Sequence, residues 1–120
     1  MLPTLAEYCA ELDRLSALVD KALTFLHERV QEYAVSDNEY RKAKATAYLS
    51  ASGTVQERQA HVDKACEQER FRAHRAEAYL KAALLAVKAR MAQLSAAQSK
   101  VNALRQEMRF EQTRHDPGIG

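Results

Sequence analysis

A segment in the first half of the chain, YRKAKATAYL, combines basic and aromatic side chains. On a helix, Arg41, Lys44 and Tyr48 share one face because they are three and four residues apart, and Lys42 lies to one side. Basic groups neutralise phosphates and release counterions, and an aromatic ring gives a stacking surface that accepts any base. We therefore predict contacts with single-stranded DNA at five residues: Arg41, Lys42, Lys44, Tyr48 and Arg58.

The same side chains have simpler interpretations. Lys and Arg on a helix usually form a solvated face, and Tyr40 and Tyr48 are also suited to a core or an interface. Nearby acidic residues offer ion-pair partners to the basic ones: Glu57, Asp63, Glu67 and Glu69. Residue types alone leave DNA binding and solvated or interface charge open. A membrane surface is least favoured, because no large apolar residues oppose the basic face.

The net charge of +2 is unevenly distributed. Residues 1–39 hold three basic and eight acidic side chains, a net charge of −5. Residues 40–75 hold eight basic and four acidic side chains (+4), and residues 76–120 hold seven and four (+3). Such asymmetry indicates a polyanionic partner or complementary contacts between subunits.

Catalytic and metal-binding patterns do not occur in the sequence. There is no glycine-rich phosphate loop. The four histidines are His27, His61, His74 and His115, and none of them has a His or Cys four residues away. His61 precedes Cys66 by five residues, which is not a same-face helical spacing. We predict no enzyme activity, no cofactor and no metal.

The cysteines and the apolar runs bear on localisation. Cys9 and Cys66 have no ligand spacing, which favours buried reduced thiols. The sequence shows no secretory signal and no apolar run approaching the roughly 20 residues of a membrane span. The expected location is the cytoplasm, that of the host cell if a phage encodes the protein, with no membrane partner.

Three capping boxes divide the chain into helices. Each box has a hydroxyl residue at the cap and Glu three positions later, and the cap residues are Thr4, Ser36 and Thr54. Gly53 directly precedes the third box. We predict one helical domain with helices at about 4–33, 37–51 and 55–111, and a flexible tail at 112–120.

Heptad repeats run along the first and third predicted helices. One row begins Leu5, Leu12 and continues through Val19, Leu26 and Tyr33, with a second row at Tyr8, Leu15 and Ala22. The third helix repeats the pattern from Cys66 and Ala73 to Met108. This periodicity predicts an all-α fold of long helices, a helical hairpin or bundle that assembles as an oligomeric coiled coil or ring.

The predicted third helix also suggests self-association. If it is continuous it is roughly 85 Å long, and one chain of 120 residues does not cover such a rod. The uncovered stripe needs a second copy of the chain. The predicted oligomer interface contains eight residues: Leu80, Leu84, Val87, Met91, Leu94, Val101, Leu104 and Met108.

Parts of the chain resemble the phage recombination mediator family UvsY. The match includes a basic pair, Lys42 and Lys44, then Tyr48, a small polar stretch ending at Gly53, and a long helix. The ending RQEMRFE, at residues 105–111, is also similar to that family's ending, and the likeness covers roughly residues 25–111. Residues 40–58 also look like small phage proteins found near recombination genes. The chain departs from the family in being shorter, richer in Ala and more simply heptad-patterned.

The resemblance implies a ring-forming mediator that binds single-stranded DNA through Lys42 and Lys44. Such a protein displaces or remodels the single-strand binding protein and loads a recombinase. The alternative from the residues is a structural or adaptor coiled coil without nucleic-acid binding, such as a phage assembly factor or an inhibitor of a host protein. Salt-titrated binding to single-stranded DNA separates these interpretations.

Overall fold

The computed structural model describes residues 2–114, and these are 93% helical, with no strand among them. Three helices follow in order: α1 at Leu5–Ser50, α2 at Val55–Ala65 and α3 at Glu67–Arg114. The predicted all-α class with long helices is confirmed. Part of the predicted tail is helical, because α3 continues to Arg114. The rest of that tail, residues 115–120, lies outside the described residues.

Two of the three predicted capping boxes begin a helix. The backbone N–H of Glu7 donates to Thr4 Oγ1 at 3.2 Å, and Thr4 N–H donates to Glu7 Oε2 at 3.1 Å. At the start of α2, Glu57 N–H donates to Thr54 Oγ1 at 3.2 Å. Gly53 precedes this cap with φ of 103°, a left-handed conformation that favours glycine and ends the preceding turn.

The predicted break between the first two helices is wrong, because α1 runs without interruption through Ser36. Ser36 is half-buried and lies seven residues after another half-buried residue, Arg29. The Asp37 carboxylate accepts a hydrogen bond from Arg41 Nε at 2.8 Å instead of capping a helix. The heptad row also continues across this point from Tyr33 to Tyr40, both half-buried. Packing of that row keeps the backbone helical despite the local cap signal.

The predicted third helix is divided at Cys66. This residue has φ of −107° and ψ of 16°, outside helical geometry, and separates α2 from α3. Hydrogen bonds still cross the interruption: Cys66 N–H donates to the Val62 carbonyl and Arg70 N–H to the Cys66 carbonyl, both at 2.9 Å. The irregularity is therefore local to one residue.

The chain divides into two compact units. One consists of the described parts of Met1–Leu23 and Ala86–Gly120, and the other of Thr24–Leu85. In the second unit, Arg29 contacts Tyr79, whereas Ala47 packs against Val62. Later residues of α1 thus contact earlier residues of α2 and α3, so α1 runs antiparallel to both.

The predicted heptad rows are the buried seams. All eight α1 row residues are buried or half-buried, and so is the other row, which begins at Cys66 just before α3 and continues within α3 to Val101. Small side chains fill much of the core, including Ala73, Ala76 and Ala83. A seam rich in Ala permits close helix approach but buries little area per residue, because Ala has no side chain beyond Cβ.

Candidate nucleic-acid interface

All five predicted DNA-binding residues lie in the unit formed by Thr24–Leu85, on the last turns of α1 and the first turn of α2. The buried cluster of Ala47, Val62 and Cys66 holds these two helices together, with Tyr40 and Ala43 packed against it. The core thus leaves the flank and the outer side of α1 to polar side chains, and Tyr48 lies at the flank, where it reaches α2. This packing positions the candidate interface.

Arg41 is exposed but has an acidic partner. Its Nε donates to Asp37 Oδ2 at 2.8 Å, and its side chain remains 78% exposed. An ion pair this exposed contributes little net free energy, about 0–1 kcal/mol, and is screened by salt. A phosphate can therefore replace the carboxylate at small cost, so the pair is compatible with Arg41 contacting DNA.

The two lysines of the basic pair occupy different surroundings. Lys42 is exposed and makes no ion pair with any described residue. Lys44 is half-buried, with its Nζ 5.9 Å from the centroid of the Tyr40 ring. The ring orients Lys44 by a cation–π contact, because its face is negative. Both ammonium groups keep N–H donors for phosphate oxygens.

Tyr48 connects α1 to α2. Its hydroxyl donates to the Gln59 side-chain oxygen, and Gln59 Nε2 in turn donates to Asp63 Oδ1 at 2.8 Å. The ring nevertheless remains 40% exposed. A tethered and partly exposed ring is preorganised for stacking, because little side-chain freedom remains to be lost.

Arg58 lies beside this network. It is exposed on the first turn of α2 and neighbours Gln59 in sequence. The helix spacing brings Arg41, Lys44 and Tyr48 to one face of α1, and Arg58 lies on α2, next in sequence to the Gln59 that Tyr48 contacts. Gln59 was not predicted, and its i, i+4 spacing to Asp63 was the only sequence signal for its role.

A second basic and aromatic feature lies in the same unit, and its aromatic residue was not predicted. Arg75 Cζ lies 5.6 Å from the centroid of the Phe71 ring, and Phe71 is 63% exposed. The i, i+4 spacing of the two residues was visible in the sequence, but the exposure of the ring was not.

An open groove of about 690 Å³ separates α1 from α3 in this unit. At its edge the Arg29 guanidinium lies 4.7 Å from the Phe25 ring centroid and 4.8 Å from that of Tyr79. Arg29 also pairs with Glu32 at 2.8 Å. The charge of Arg29 is therefore paired with a carboxylate of its own chain, and its guanidinium contacts two aromatic rings. This cluster joins α1 to α3.

The predicted oligomer interface is only partly available to a second copy. Val87 and Val101 are 5% and 2% exposed within the single chain. Leu80, Leu94 and Leu104 are half-buried. Three members remain exposed: Leu84, Met91 and Met108. Val87 and Val101 are thus buried by their own chain, and the assignment of the eight residues to an oligomer interface stays a prediction.

Within the described range, no His, Cys, Asp or Glu residues cluster closely enough to hold a metal ion. Likewise, none of the described helices carries an apolar stretch that reaches across a bilayer. Comparison of the chain with protein-family models, curated proteins and solved structures finds no match.

Proposed function

We propose that this protein binds single-stranded DNA through the surface formed by Arg41, Lys42, Lys44, Tyr48 and Arg58. The observation that carries the proposal is the tethered, partly exposed Tyr48 ring on the same α1 face as two cations. Stacking on such a ring accepts any base, and the cations bind phosphates regardless of sequence. The expected activity is therefore sequence-independent.

The biological role we propose is that of a recombination mediator. It rests on the likeness of the basic pair and its surroundings to the UvsY family. In this role the protein acts as a homo-oligomer, alters the single-strand binding protein on DNA and helps to load a recombinase. Repeating a weak surface around an oligomer raises the affinity for a long strand, because linked contacts bind at high effective concentration.

The proposal is tested by replacing Lys42 and Lys44 with Ala and measuring fluorescence anisotropy with labelled oligo(dT). The affinity should fall, and the negative slope of log K against log salt should become shallower by about 1.4. Each lost phosphate contact reduces the magnitude of that slope by about 0.7. Helicity should be unchanged, because both residues are outside the buried cluster.

The matched control removes two charges elsewhere. Lys88 and Lys100 are exposed on α3 in the other unit, so the variant with Ala at both has the same net charge as the test variant. The control should keep the wild-type salt slope. If both double variants bind alike, Lys42 and Lys44 are not specific DNA contacts.

A structural or adaptor role without DNA is the second candidate. It is favoured by large apolar side chains that stay exposed on the single chain, among them Leu49, Leu85 and Met91. Such residues are available to a protein partner. Wild-type protein that does not bind oligo(dT) at low salt would favour this candidate.

A further inference from the structure

Phe71 occupies a position that the helix seam does not explain. It lies on α3 between the buried residues Cys66 and Ala73, yet its side chain is 63% exposed. At about 100° per residue, Phe71 points roughly 160° away from Ala73, toward the side opposite the seam. The ring therefore adds nothing to the packing of α3 on its partner helices.

The surface around Phe71 is built from α3 alone. Its lining residues all fall between Glu67 and Arg75, with no contribution from α1 or α2. The Arg75 guanidinium lies over the ring, 5.6 Å from its centroid. The ring thus has a cation beside it and no helix packed upon it.

The charge around this ring is mostly positive. The stretch from residue 70 to residue 75, RFRAHR, contains no acidic residue, and Arg70 and Arg72 flank the ring on either side. Glu67, one turn before Phe71, is the acidic side chain that lines the same surface. On this surface three arginines outnumber one carboxylate, which favours an anion, and Arg72 and Arg75 also border the groove that Glu28 and Glu32 line.

We propose that Phe71 and Arg75 form a second stacking platform for single-stranded DNA, with Arg70 and Arg72 binding the adjoining phosphates. This inference rests on the proposed function, because it extends the same activity to a surface on α3. An aromatic ring and an arginine plane both stack on bases, and neighbouring arginines bind the backbone. The platform lies in the same unit as Tyr48.

The first experiment compares Phe71→Leu with Phe110→Leu. Phe110 is a matched control because its exposure, 68%, is close to the 63% of Phe71 and it lies in the other unit. Phe71→Leu should weaken oligo(dT) binding about 5- to 150-fold, the range expected for losing one stacked base. Phe110→Leu should bind like the wild type, and circular dichroism should show equal helicity for both variants.

An abasic strand separates stacking from phosphate binding. It keeps the phosphates of the oligonucleotide but has no bases, so Phe71→Leu should bind it as tightly as the wild type does. If Phe71→Leu weakens both strands equally, the ring does not stack on bases and the inference is overturned.

A spectroscopic signal gives a second readout. The chain contains no Trp, so Phe71→Trp introduces a single indole whose emission reports only on this position. Oligo(dT) should quench that emission, and the abasic strand should leave it unchanged. Unquenched emission with DNA bound would overturn the platform.

The outcomes also separate this inference from the proposed function. If wild-type protein does not bind oligo(dT), both fail. If the wild type binds and the Lys42 and Lys44 double variant binds weakly, but Phe71→Leu matches Phe110→Leu, only the α3 platform is wrong.

Discussion

Replacing Val62 with Ala tests the packing that holds the candidate interface. Val62 is 1% exposed and packs with Ala47 and Cys66, between the basic end of α1 and α2. Losing two buried methyl carbons removes about 1.6 kcal/mol of transfer free energy, and the remaining cavity adds roughly another 1 kcal/mol. The higher helix propensity of Ala returns about 0.5 kcal/mol. The free energy of unfolding should therefore fall by about 2 kcal/mol.

The matched control is the same substitution at Val55. This residue also belongs to α2 but is 83% exposed, so Val55→Ala should lie within about 0.5 kcal/mol of the wild type. Urea denaturation followed by circular dichroism measures both variants. Equal losses at the two positions, or no loss at Val62, would refute the reasoning that the Ala47–Val62–Cys66 cluster is a stabilising core.

Two further predictions concern the other unit. The hydrogen bond from Arg14 lowers the pKa of Glu11, so Arg14→Gln should raise that pKa in an NMR titration of the carboxyl carbon. Because the folded pKa lies below the unfolded one, the pair's contribution to stability is present above the unfolded pKa and is lost as pH falls through the folded pKa. Met91 is exposed on the single chain and belongs to the predicted oligomer interface, so the mass of the wild-type protein from analytical ultracentrifugation should exceed the monomer's 13.5 kDa. Met91→Lys should lower that mass, whereas the control Val55→Lys should leave it unchanged. A wild-type monomer would contradict self-association.

The heptad spacing predicted the seam because burial repeats with the same period along α1 and α3. The row from Leu5 to Tyr33 is buried or half-buried as expected. Periodicity does not, however, specify which helix a stripe packs against. Val87 and Val101 were therefore assigned to another copy, although they are buried within their own chain.

Local cap signals were reliable only where the apolar row also stopped. Thr4 and Thr54 each cap the start of a helix. The glycine before Thr54 has a positive φ and forms the turn that separates α2 from α1. At Ser36 the row continues from Tyr33 to Tyr40, and the neighbouring Asp37 accepts a hydrogen bond from Arg41 instead of capping a helix. Nothing in the residue pattern marks the backbone change at Cys66.

For the candidate interface, the sequence specified which residues share a face but not their partners. The spacing of Arg41, Lys44 and Tyr48 fixes their common direction on a helix. The Tyr48–Gln59 bond depends on where α2 returns, which is set by the Gly53 turn and the buried cluster. The exposure of Phe71 likewise depends on which side of α3 is covered.

Ultraviolet cross-linking of wild-type protein to oligo(dT), followed by peptide mapping, tests the DNA-binding surface most directly. The proposal predicts cross-links confined to residues 40–75, at or beside Tyr48 and Phe71, and their loss at high salt. Cross-links concentrated at residues 5–23 or 86–114, or none at low salt, would contradict it.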